Sequence, residues 1–340
     1  MTSGFNISSD ITKDARFNYM MGFSKEEIKE MMTAQNISEE EQEKLMPIMK
    51  ENYDGYLFSR DVKEKLYNSN MTLYFLNEYV AFGKVPERLV DVNIASDYSK
   101  IGNMLKLCKG EKKLSILSDM LSDKGIVSEI TDKFNPEVDF GDKEMVSMLY
   151  YLGYLTIGGD EFGIPVLRVP NLVMREIYTE YFMKLINEDA NMENTIDYPS
   201  IIKEIALEGK IDKIIKVLEE YLTNLSNRDY MKFDEKYIKL LYYALAMNMK
   251  TVYYVKSEPE YMRNYPDILM IPKDTSKGYQ AIMIEFKYLK KNEKSLLKSK
   301  QKEAREQIIK YAEYEEIKKI ENLHKFGVVA LVDKVYVEEI

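Results

Sequence analysis

Apolar and polar positions change rhythm along this chain, and the changes divide it. Near the start they recur at helical spacing. Phe23-Ser24-Lys25-Glu26-Glu27-Ile28 carries a capping box from Ser24 to Glu27, with Phe23 and Ile28 set as a hydrophobic staple, so a helix starts at about residue 25. Tyr53-Asp54-Gly55-Tyr56 and Leu66-Tyr67-Asn68-Ser69 mark a loop region. Residues 111 to 157 read as helices, ending in Leu149-Tyr150-Tyr151-Leu152-Gly153-Tyr154-Leu155-Thr156. Val166 to Val169 is strand-like, and Pro170-Asn171 starts another helix that Val173 to Phe182 continue. A helix pair followed by a short β-hairpin predicts a mainly helical, winged-helix-like region over 1–186. Residues 187 to 199 are polar without sustained periodicity, as in a linker.

Beyond it the pattern alternates between periods. Ile201, Ile205, Ile211, Ile214, Ile215, Leu218 and Leu222 predict helices between 200 and 225. A helix from about 232 to 249 follows, then a strand over 251 to 255, a hairpin over 266 to 288, a long helix from about 295 to 320, and a strand over 326 to 332. The C-terminal part, 200–340, therefore has the order α-β-β-β-α-β, and the whole chain is α+β in two parts.

Within the hairpin, P-D-I-L-M-I-P and A-I-M-I-E-F-K-Y place Asp267, Glu285 and Lys287 among apolar neighbours. A turn centred on Ser276 sets Asp267 opposite Glu285, and the two-residue period of a strand puts Glu285 and Lys287 on one face. Leu269, Ile271 and Met283 share that face, while Ile268, Met270, Ile282, Ile284 and Phe286 fill the other, so the sheet reads as covered on both sides. Opposed like charges destabilise a sheet, and a buried unpaired carboxylate is strongly unfavourable. A hard divalent cation such as Mg²⁺, which takes oxygen ligands and keeps several waters, would compensate. An edge hairpin with its charges in solvent is the alternative.

These residues carry a resemblance. Pro266-Asp267, the spacing of 18 residues, and Glu285-Phe286-Lys287 are similar to the P-D...(D/E)-x-K signature of the PD-(D/E)XK nuclease superfamily, whose core has the same element order. The resemblance implies that Asp267 and Glu285, with the carbonyl of Phe286, ligate Mg²⁺ or Mn²⁺, and that Lys287 orients or activates the attacking water. Glu235 lies where many members carry a carboxylate facing the metal. It also falls in the first turn of its helix, where an acid complements the dipole unaided. Gln307 and Tyr311, at i and i+4, resemble the Q-x-x-x-Y motif of RecB-type members, which implies a role in positioning the scissile strand. The implied activity is metal-dependent phosphodiester hydrolysis, with DNA as substrate. The competing reading is a domain of the same fold that no longer cuts and serves as a nucleic-acid or protein binding module.

Composition narrows the alternatives. The 340 residues allow two domains, each with its own core. No apolar run approaches the roughly 18 residues of a membrane span, and the N-terminus lacks a basic stretch followed by an apolar one, which predicts a cytoplasmic protein with no membrane partner. The single cysteine, Cys108, excludes an internal disulfide and a thiolate zinc site, and reads as a small buried apolar residue. The only histidine, His324, reads as a surface residue between the last helix and the last strand. It excludes chemistry that needs a pair of histidines.

The net charge of −9 is unpromising for a partner of nucleic acid until it is divided. Residues 199 to 340 hold 26 Lys and Arg against 23 Asp and Glu, a net of +3, which leaves −12 on the first 198. Residues 287 to 305 concentrate the excess in Lys287, Lys290, Lys291, Lys294, Lys298, Lys300, Lys302 and Arg305. Lys298, Lys300 and Lys302 are the expected phosphate-backbone contacts.

The N-terminal phrases T-S-G-F-N-I, G-F-S-K-E-E-I, Y-D-G-Y, L-Y-N-S, L-G-Y-L-T and V-P-N-L-V resemble the later portion of the AAA-ATPase-like domain in bacterial proteins that end in a PD-(D/E)XK domain. No G-x-x-x-x-G-K-[ST] phosphate loop occurs in the 340 residues. In that family the loop lies upstream of the region matched here. The resemblance thus implies the back part of a longer protein, without ATP hydrolysis of its own.

Overall fold

Serine side chains begin the first two helices. In the computed structural model, which describes residues 11, 13–90, 112–122, 124–131, 141–190, 192, 196–226, 234–257 and 266–340, α1 spans Lys25–Ala34. Glu27 returns its carboxylate to the Ser24 N–H at 2.7 Å, completing the expected capping box. Ser38 and Glu41 repeat the device at α2, Glu39–Tyr53. Asn68 caps α3, Ser69–Phe82. Between α2 and α3, single bridges pair Tyr56 with Leu66 and Phe23 with Tyr67. Cys108 lies outside the described residues.

The chain divides into two compact units, Met1–Thr179 and Glu180–Ile340. In the first, α4 (Lys112–Leu121), β1 (Ile126–Val127), α5 (Asp142–Tyr151), β2 (Thr156–Glu161) and β3 (Ile164–Arg168) follow one another. The antiparallel sheet has the order β1-β3-β2. The stretch from 111 to 157 is therefore not helical throughout. Gly125, at φ +71°, turns the chain out of α4 and into a two-residue strand too short to show a period of its own. Asn171 accepts the Met174 N–H at 3.1 Å ahead of α6, Leu172–Ala190. That helix contains the division between the units and runs into the polar segment expected as a linker.

In the second unit, α7 (Tyr198–Glu208) ends on Gly209, whose φ of +66° suits a left-handed cap, and α8 (Asp212–Ser226) follows. Asp234 accepts the Tyr237 N–H at 2.8 Å and starts α9, Glu235–Ala246, which is buried along most of its length. Five strands come next in the sequence: β4 (Tyr253–Ser257), β5 (Ile268–Pro272), β6 (Ala281–Leu289), β7 (Leu323–Leu331) and β8 (Lys334–Glu339). They lie side by side in that order, antiparallel except for the parallel pair β6 and β7. Strand β6 is central and buried along nearly all of its nine residues, which is why its sequence is almost continuously apolar.

The crossover between the parallel strands is α10, Leu297–Ala312. Its apolar side packs Ile308 and Tyr311 onto Leu269, Met283 and Ile317. Close approach is possible because β7 offers Gly327 beneath Ala304: a Cβ at 327 would stand 3.3 Å from the Ala304 Cβ.

Several boundaries differ from expectation. The helix expected over 295 to 320 is a 3₁₀ turn at Lys291–Leu296, then α10, then the short α11 at Glu315–Lys318. The chain opens at Tyr314, with extended φ and ψ, and this lets Ile317 enter the core. Strand β4 starts two residues later than predicted, and β8 was not anticipated. His324 lies within β7 rather than before it, its ring between Glu339 Oε1 at 2.8 Å and Gln280 Oε1 at 3.1 Å. Among the described residues no helix is long and apolar enough to cross a membrane.

Candidate active site

The hairpin register fixes the site. Ile268 pairs with Ile284, Leu269 with Met283 and Met270 with Ile282. One further step along that ladder brings Asp267 to Glu285, as the turn centred on Ser276 requires. Relative exposures of 3% for Asp267, 3% for Glu285 and 4% for Lys287 rule out an edge hairpin with its charges in solvent.

Buried charges need partners, and these side chains supply them for one another. Asp267 Oδ2 accepts the main-chain N–H of Phe286 at 2.6 Å, locking the start of β5 to β6. Lys287 donates to Glu285 Oε1 at 2.9 Å and to the Phe286 carbonyl at 3.0 Å. From α9, Glu235 Oε1 stands 3.6 Å from the Lys287 ammonium and 3.2 Å from that of Lys239. Lys239 reaches Asp267 Oδ1 at 2.5 Å. The result is a row of alternating sign: Asp267, Lys239, Glu235, Lys287, Glu285.

Lys239 was not anticipated. Its spacing of four from Glu235 was the available signal, but that spacing is common on solvated helices. At the other end of the row Glu285 Oε2 is buried with no hydrogen-bond partner among the described residues.

The electrostatics follow from this arrangement. Burial, reinforced by the Asp267 charge, pushes the Glu285 carboxyl up to about 7, against the pull of Lys287 and Lys239. Burial also raises Asp267, which Lys239 and the Phe286 N–H hold back. Lys287 is lowered by burial, yet the carboxylates of Glu285, Glu235 and Asp267 outweigh this and leave it above its ordinary value. Tyr311 is raised by burial and then by the charges of Glu285 and Asp267. Tyr311 shares its packing cluster with Leu269 and Met283, each two residues from a carboxylate along its strand. One turn earlier, Gln307 Oε1 is buried and also lacks a partner among the described residues.

The expected phosphate contacts are less uniform. Lys298 is exposed. Lys300 pairs with Glu303 at 2.7 Å and Lys302 with Glu306 at 3.6 Å, so both carry local counter-charges.

Among the described residues, no three His, Cys, Asp or Glu side chains gather closely enough to hold a metal ion by themselves. Two carboxylates with a main-chain carbonyl are nevertheless a hard-oxygen donor set of the kind Mg²⁺ accepts while retaining waters. The unpartnered Glu285 Oε2 is a donor atom still to be used. The residues present therefore fit a divalent cation held by Asp267, Glu285 and the Phe286 carbonyl.

Residues 233–339 match the PD-(D/E)XK nuclease superfamily and form a domain of that kind. The matched segment contains Glu235, Lys239, Asp267, Glu285, Lys287, Gln307 and Tyr311; residues 1–232 lie outside it. Members of the superfamily are typically metal-dependent nucleases. No curated protein matches the chain, and no solved structure does.

Proposed function

We propose that this chain hydrolyses phosphodiester bonds of DNA with the help of Mg²⁺ or Mn²⁺. The observation that carries the reading is the buried facing pair Asp267 and Glu285, with Lys287 2.9 Å from one carboxylate and the second oxygen of Glu285 unpartnered. Asp267, Glu285 and the Phe286 carbonyl would hold the ion. When bound, such an ion lowers the pKa of a coordinated water and offsets charge on the phosphate.

The chain's own groups supply the rest. Lys287, fixed by Glu285 and the Phe286 carbonyl, presents an ammonium that orients the water. Glu235 holds Lys287 and Lys239 from the α9 side. Gln307 and Tyr311 position the strand to be cut, and Lys298 contacts its backbone. The test is cleavage of single- and double-stranded DNA with Mg²⁺ or Mn²⁺ beside Glu285→Ala; cleavage surviving that substitution would refute the assignment.

A second reading, a domain of this fold that binds without cutting, is favoured by one observation: the Lys239 ammonium stands 2.5 Å from Asp267 Oδ1, so the protein itself supplies that carboxylate with a counter-charge. Mn²⁺ binding that depends on Asp267 separates the two readings. We also read the first unit as the back part of an AAA-ATPase-like domain with a winged-helix-like sheet. The order β1-β3-β2, with α5 between β1 and the β2–β3 hairpin, supports this.

A further inference from the structure

Two ammonium groups serve the site, and they are held differently. Lys287 is 5% exposed at its side chain and is fixed on one strand by Glu285 and the Phe286 carbonyl. Lys239 arrives from a helix on a four-carbon stem and is 19% exposed. Asp267 Oδ2 already accepts the Phe286 N–H, so Oδ1 is the more available oxygen for a cation. That is the atom on which Lys239 rests, at 2.5 Å. A divalent ion and Lys239 compete for one oxygen.

Displacement leaves Lys239 with a partner. Glu235 stands one turn earlier on the same helix at 3.2 Å from its ammonium and is itself 37% exposed, so Lys239 can leave Asp267 without losing every counter-charge. The charge count points the same way. With all three carboxylates ionised, Glu235, Asp267 and Glu285 against Lys239 and Lys287 leave the site with one net negative charge. A divalent ion turns this into one net positive charge, which a single phosphodiester neutralises.

We infer that Lys239 is the exchangeable counter-cation of the site. It holds Asp267 while no divalent ion is bound, yields Oδ1 to the ion, and then turns to a phosphate oxygen of the substrate. The inference rests on the assignment of Asp267 and Glu285 as the ion-holding pair.

The test uses the full chain in two ways. Calorimetric titration with Mn²⁺ compares the parent with Lys239→Met and Asp267→Asn. Removing the competing ammonium should tighten Mn²⁺ roughly five- to tenfold, about what one partly screened charge contact contributes, while Asp267→Asn weakens it. In the unsubstituted chain, acetic anhydride labelling with peptide mapping should modify Lys239 severalfold faster when Mn²⁺ is present, with Lys287 unchanged. The labelling decides the question even if Lys239→Met fails to fold.

If the parent binds Mn²⁺ through Asp267 but Lys239→Met binds no tighter, or labelling of Lys239 does not rise, the exchange is wrong and the nuclease reading stands. If neither parent nor Lys239→Met binds Mn²⁺, the nuclease reading fails and the exchange with it.

Discussion

Glu285 meets burial, a facing carboxylate and two ammonium groups together, and the sum is a carboxyl raised to about 7. Between its unfolded value near 4.5 and that raised value, the folded chain keeps a proton that the unfolded chain has released. This contribution to stability is therefore present at low pH and lost as pH rises through 7. In the metal-free chain the loss should be on the order of 3 kcal/mol between pH 4 and pH 8, at about 1.4 kcal/mol per unit. Urea midpoints across that range check it, and Glu285→Gln should remove most of the slope. Mn²⁺ should flatten the slope too, since it favours the charged carboxylate. Lys287→Ala tests the same residue from its partner's side. With the ammonium gone, a charged Glu285 is left buried, so destabilisation should be several kcal/mol at pH 8 and much smaller at pH 5, where the carboxyl is neutral. Cleavage should be lost at both. The burial of Asp267, Glu285 and Lys287 was legible because a charge in an apolar strand run contradicts its surroundings. Lys239 was not, because a lysine four residues after a glutamate fits a solvated helix just as well, and only the packing of α9 shows where its ammonium goes.

At the level of elements, α10 meets the sheet in part through a contact between small residues. Gly327 is paired with Glu285 across the parallel ladder and lies under Ala304, so a side chain at 327 would lift α10 away from the carboxylates. Gly327→Ala leaves the added Cβ at 3.3 Å from its neighbour and should cost about 1 kcal/mol; Gly327→Val should cost roughly 1–3 kcal/mol. Because Gln307 and Tyr311 ride on the same helix, the proposed DNA cleavage should fall further than either stability change accounts for. Chemical denaturation measured beside kcat makes that comparison. The hairpin and its register were readable from the turn and the alternation. The end of α10 was not: no glycine or proline marks Tyr314, and the chain opens there because Ile317 gains a buried position. Strand β8 left a signal, the alternation of V-Y-V after Val332-Asp333, but only its pairing with β7 gives that alternation a purpose.

For the whole molecule, charge sets what the surface proposed to meet DNA can do. The first 198 residues carry −12 and the remainder +3, so the positive excess that would meet phosphate is small and lies in the C-terminal part. Lys300 and Lys302 already have carboxylate partners, whereas Lys298 is exposed. Lys298→Gln alone should flatten the log-log salt dependence by up to about 0.9, and adding Lys300→Gln and Lys302→Gln should flatten it by less than that amount each. Affinities at several salt concentrations decide this, and an unchanged slope in the triple variant would move the DNA path elsewhere. The two-part organisation was visible in composition and periodicity. The division inside α6 was not, since the helix runs unbroken through Thr179 and Glu180.

The position of Asp267 and Glu285 at the open end of the β5–β6 hairpin has a kinetic consequence. A hairpin that closes from its turn at Asp274–Gly278 would pair Met270 with Ile282 before the two carboxylates meet. Their repulsion enters after most of the hairpin has formed, so it opposes the last step of closure and favours fraying from that end. Asp267→Asn should therefore change the unfolding arm of a chevron plot while leaving the refolding arm nearly unmoved, as expected for an interaction absent from the folding transition state.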